Sequence, residues 1–123
     1  MEKIVEICCG SYEDALAAYR GGAKRIELNS ALYLGGLTPS VGTLLLTKKH
    51  TDLNVVAMVR PRAAGFCYSD TDFEVMEQDT ELLMKNGADG IAFGCLDAQA
   101  RLHEAQIRKI VQIIDRYHGE AVF

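Results

Sequence analysis

Three cysteines, two glutamates and two arginines carry the chemistry open to this chain. Cys8, Cys67 and Cys95 each stand at the end of an apolar run or in the segment that follows one. Thiolates brought together there would suit Cu(I), a soft ion that prefers two or three sulfur ligands in linear or trigonal arrangement. Cys9 adjoins Cys8 but points to the opposite side of an extended segment, so the adjacent pair does not chelate together. The alternative is that the thiols are small buried hydrophobes or free side chains without a ligand. Glu6 and Glu27 could work as a general acid and base. Arg60 and Arg62 could clamp the carboxylate or phosphate of a small anionic metabolite, or they could neutralise the glutamates in a structural ion network. Tyr68 could donate to such a ligand or pack over its own loop, and Asn29 sits on the same side as Glu27. The histidines, His50, His103 and His118, have no metal-ligand spacing.

The elements that must position these groups are βα units. The stretch Arg60–Asp70 follows the apolar run Val55–Val59 and precedes a helix capped by Ser69 or Asp70. Pro61 pushes Arg60 toward extended geometry. Strands are expected over residues 3–9, 24–29, 54–59 and 90–94, with a fifth opening at Glu120. Helices are expected from Ser11 to Gly21, from Thr38-Pro39 as cap and first turn, from about Thr71 to Asn86, and from near His103 to Gly119. Phe73, Met76, Thr80 and Leu83 share one face of the third helix. Val41, Leu44, Leu45 and Lys48 share one face of the second. The segment Gly21–Leu28 is echoed by Asn86–Phe93, each a helix end, a Gly-Ala turn and a strand.

Repeated βα units with short turns build a parallel sheet, either open and doubly wound or closed as a (βα)8 barrel. No Gly-x-Gly-x-x-Gly follows the first strand, which weakens the dinucleotide-binding reading. Side-chain alternation favours the barrel. Glu6, Cys8, Glu27, Asn29 and Arg60 fall on one face, and Val5, Ile7, Ile26 and Leu28 on the other. A sheet covered by helices on both sides would have both faces apolar. A barrel of this kind needs about 250 residues, so 123 residues correspond to about half of one. The outer strands and the polar face would then be open, and association between copies through those edges, or a further portion of barrel, is expected.

Composition narrows the partners. A net charge of −4 argues against a nucleic-acid or anionic-membrane surface. No apolar run is long enough to span a bilayer. The chain opens Met1-Glu2-Lys3 and goes directly into a strand, so no signal peptide is expected, and the cysteines are expected to be reduced thiols in a cytoplasm.

Five blocks in order are similar to one known family. They are Glu6-Ile7-Cys8-Cys9, Gly22-Ala23-Lys24-Arg25-Ile26-Glu27-Leu28, Gly35-Gly36-Leu37-Thr38-Pro39-Ser40, Arg60-Pro61-Arg62 and Phe66-Cys67-Tyr68-Ser69-Asp70. Together they resemble the copper homeostasis protein CutC family across nearly the whole chain. The resemblance implies a cytoplasmic TIM barrel, oligomeric, associated with copper tolerance and binding Cu(I) through cysteine. On it, Cys8 matches a cysteine proposed as a copper ligand. The position of the second proposed ligand, after Glu27-Leu28, holds Asn29, so Cys67 or Cys95 would have to be recruited instead. The loop Arg62-Ala63-Ala64-Gly65 stands where the family usually has Gly-Gly-Asp, and the family's later His-Arg stretch has no counterpart here.

Overall fold

Helix and strand alternate without exception along the chain. The computed structural model describes residues 1–123. Strand β1 (Glu6–Cys9) leads to helix α1 (Tyr12–Arg20), β2 (Arg25–Leu28), a 3-10 turn (Leu32–Leu34), α2 (Val41–His50), β3 (Asn54–Met58), α3 (Asp70–Lys85), β4 (Gly90–Ala92), α4 (Glu104–Arg116) and β5 (Glu120–Val122). All neighbouring strands are parallel, in the order β1-β2-β3-β4-β5. This is the wall of a partial TIM-like barrel, with β1 and β5 as its two edges.

The alternation expected from the sequence sets the two faces. Ile26, Leu28, Val55, Ala57, Val59, Ile91 and Phe93 join one core with Leu44, Phe73, Met76, Leu83, Ile110 and Ile114 of the helices. The register pairs Glu6 with Arg25 and Cys8 with Glu27 on the other face. The sheet is strongly curled. Arg25 on β2 reaches Glu120 on β5 at 2.5 and 3.1 Å, although strands three spacings apart lie about 14 Å from each other in a flat sheet. Arg25 also holds Glu6 at 2.6 Å.

The helix-to-strand turns follow a shared device. Gly22 at φ +94 and Gly87 at φ +103 take the left-handed position after α1 and α3. Ala23 N–H then donates to Ala18 O, and Ala88 N–H to Leu83 O, closing each helix by the Schellman pattern. The echo in the sequence is this motif used twice. It is used a third time after α4, but there His118 takes the left-handed position at φ 55, and Gly119 N–H closes onto Ile114 O. The sequence ends this helix at Gly119, but Gly119 does not take the left-handed position. Instead it supplies clearance, since a Cβ there would meet Met84 Cε at 2.3 Å. Replacing His118 with glycine relieves a left-handed residue at some cost in chain entropy, so His118→Gly is expected to stabilise the fold by about 0.5–1 kcal/mol, read as a raised Tm.

Other boundaries moved for local reasons. The first strand starts at Glu6 rather than Lys3, opposite the start of β2 at Arg25. The second helix is capped by Ser40, whose Oγ accepts from Thr43 N–H, not by Thr38. The Thr38 hydroxyl is taken by the backbone N–H of Arg60 at 2.9 Å, so Thr38-Pro39 stays extended between two loops. Leu44 and Thr47 form the buried face of α2, while Leu45 is exposed with Leu46. The face expected for α3 is buried as a set.

Candidate functional site at the strand ends

The inner face and the loops beyond the C-terminal ends of the strands gather most of the polar residues singled out above. Cys8 enters from β1 and Glu27 from β2, side by side in register. Asn29 follows β2 directly, its own N–H fixed to Cys9 O at 2.8 Å. Its side chain is 1% exposed. The amide Nδ2 donates to Glu27 Oε1 at 3.0 Å and to Cys8 Sγ at 3.5 Å. Cys8 is exposed. Partial burial, then the carboxylates of Glu27, Glu6 and Asp14, push its thiol pKa upward.

The two glutamates are set in different surroundings. Glu6 is tied to Arg25 beside Glu120, toward the start of the strands. Glu27 is two register pairs further on, beside Cys8 and Asn29. Glu6 is committed to Arg25, whereas Glu27 accepts from Asn29. Arg25 and Glu120 escaped the sequence reading, although Arg25 shares its alternation with Glu27. What alternation could not show is the curl that brings β5 within reach of β2.

Arg60 and Arg62 are placed at the rim, and most of their donors bond the loops themselves, while Arg60 Nε is buried without a partner. Arg60 Nη1 donates to Leu34 O at 2.9 Å and Gly36 O at 3.1 Å, and Nη2 to Ala64 O at 2.7 Å. Its guanidinium lies 5.4 Å from the Phe66 ring centroid. Arg62 donates to Asp72 Oδ2, Ala63 O, Gly65 O and Cys67 O, and stacks over Tyr68 at 4.8 Å. These bonds brace the rim, where the turning backbone of the loops presents carbonyls that need donors. Tyr68 packs under Arg62 with its hydroxyl buried and unpartnered, and burial first, with Cys95 second, raises its pKa.

The thiols do not converge as a trio. Cys95 is fully buried in the core between sheet and helices, where burial pushes its thiol up to about 11. Cys9 lies in the same core, also pushed up to about 11, by burial and then by Asp14 and Cys8. Cys67 is exposed on the loop after β3. No group of three or more His, Cys, Asp or Glu side chains is placed to hold a metal ion. The physical reason is facing: Cys8 looks into the open face, and Cys95 looks into the helix-packed side.

The family model described as CutC family matches residues 3–119. The chain belongs to the CutC family. Among curated CutC proteins, one from Treponema denticola is 52% identical over 111 residues, covering 90% of this chain and 45% of that protein. A human relative named copper homeostasis protein cutC homolog is 42% identical over 110 residues, covering 89% of this chain and 40% of its own length. The chain thus spans less than half the length of these CutC relatives. A solved CutC structure from Streptococcus agalactiae superposes with a TM-score of 0.90 at 24% identity, over 99% of this chain and 59% of that one. That likeness supports the half-barrel reading of the fold. No helix is long and apolar enough to cross a membrane.

Proposed function

We propose that this chain supplies the Cu(I)-binding element of a copper homeostasis protein, with the Cys8 thiolate as anchor. One observation carries the reading. Cys8 is the thiol that lies on the polar inner face, accepting a hydrogen bond from Asn29 and standing in register with Glu27. Membership of the CutC family and the name of the human relative support it. Cys67, the other exposed thiol, is the second ligand on this reading. Four free thiols fit a reducing compartment such as the cytoplasm.

The thiol must lose its proton to bind the metal. Its raised pKa therefore means that copper competes with a proton at neutral pH and binds more tightly as pH rises. Anaerobic Cu(I) titration against a competing chelator tests the reading. Cys8→Ser is expected to weaken Cu(I) binding at least tenfold, and an unchanged affinity would overturn the assignment. The alternative, an enzyme holding a small anion between Arg60 and Arg62, has fewer free donors than their charge suggests, because Nη1 and Nη2 of Arg60 already bond loop carbonyls.

A further inference from the structure

We infer that Asn29 is a positioning residue for Cys8 and Glu27, and that Gly36 is the wedge that aims it. The inference rests on the reading of the Cys8 face as the functional site, and it names the residue that organises it.

Asn29 is the most enclosed polar side chain of the inner face, 1% exposed at the foot of the loop after β2. Its Nδ2 carries two protons and has two side-chain acceptors, Glu27 Oε1 at 3.0 Å and Cys8 Sγ at 3.5 Å. The nitrogen must face this way, because an amide oxygen turned toward the Glu27 carboxylate would set two acceptors against each other. The Oδ1 atom has no hydrogen-bond partner. It is pressed against Gly36, where a Cβ would come within 2.5 Å of Oδ1 and 3.1 Å of Cγ. Gly36 also adopts φ +90, which L side chains rarely take. Its carbonyl is held by Arg60 at 3.1 Å, so the wedge is itself braced.

The consequence is chemical. An N–H aimed at sulfur makes the sulfur an acceptor, which suits a thiolate or a metal-bound thiolate rather than a donating thiol. The second N–H holds the neighbouring carboxylate in place. Partners of this outer kind typically contribute 10- to 100-fold in metal affinity.

Two measurements on the 123-residue chain test this. In proton–nitrogen NMR, Cys8→Ser is expected to shift one Asn29 side-chain amide proton and Glu27→Gln the other; if neither moves, the positioning role is overturned. In the Cu(I) competition titration, Asn29→Asp keeps the shape but removes both donors. It is expected to weaken binding about 10- to 100-fold when Cys8 is present and to change nothing in the Cys8→Ser background. Retained affinity, or an equal loss in both backgrounds, overturns the inference. If Cys8→Ser does not affect Cu(I) binding at all, the copper reading falls, and the NMR result alone decides the role of Asn29. Gly36→Ala is expected to reproduce the amide shifts in a folded protein; unmoved Asn29 signals would remove Gly36 as the wedge.

Discussion

Arg60→Ala is expected to cost about 3 kcal/mol of folding stability, the largest effect of any single rim substitution. The guanidinium serves three carbonyls from two loops, Leu34, Gly36 and Ala64, and stacks on Phe66. Hydrogen bonds to charged donors contribute about 1.5–3 kcal/mol each, and the exposed carbonyls recover part of that from water. Arg60→Lys restores the charge but not the planar fork, so it is expected to recover little. Denaturant unfolding measures both variants. Limited proteolysis should show new cleavage within 31–37 and 63–67 in Arg60→Ala; stability equal to the parent chain would show that the brace is not a determinant of the rim.

Arg25→Met is expected to destabilise the chain by about 2 kcal/mol at neutral pH and to change the shape of its acid response. In the parent, Arg25 is 16% exposed and joins Glu6 and Glu120, which are 29% and 52% exposed. Breaking a fully buried ion pair costs 3–5 kcal/mol, and partial solvation reduces that here. The hydrogen bond from Arg25 holds the Glu120 carboxyl below its usual range. A depressed carboxyl stabilises the fold above its unfolded value and loses that contribution as pH falls through the folded one. The parent should therefore lose stability as pH drops below about 4. In Arg25→Met the two carboxylates repel, so protonation relieves strain and the same descent costs less. Thermal unfolding at pH 7 and pH 3.5 reads the difference, and parallel pH responses would remove Arg25 as its source.

The parts of the fold that depend on local periodicity were legible. A period of two placed Glu6, Cys8, Glu27 and Asn29 on one face because a strand leaves side chains no other choice. The Gly-Ala echo located two helix ends because a left-handed residue is needed where those helices stop. What failed depended on distant competition. Thr38 looked like a helix cap until Arg60, 22 residues away, claimed its hydroxyl. Arg60 and Arg62 were legible as charge, but the carbonyls that consume that charge belong to loop backbone, on which sequence is silent. Cys95 was correctly placed near the rim yet faces the helices. In the triad of Arg25, Glu6 and Glu120, Arg25 and Glu120 lie 95 residues apart and meet only because the sheet curls.

The repeated helix closure also decides where this architecture can change length. Ala23 and Ala88 are pinned by bonds back into the helix they follow, and the next strand starts two residues later. One residue inserted at such a turn would reverse the strand, turning Ile26 toward the mouth and Glu27 into the oily layer. At the opposite end, the excursions after β2 and β3 are longer, and Arg60 and Arg62 tie them together through side-chain bonds to loop carbonyls. Added or deleted residues are therefore expected to be tolerated better at the mouth than at the floor, where the spacing sets strand parity.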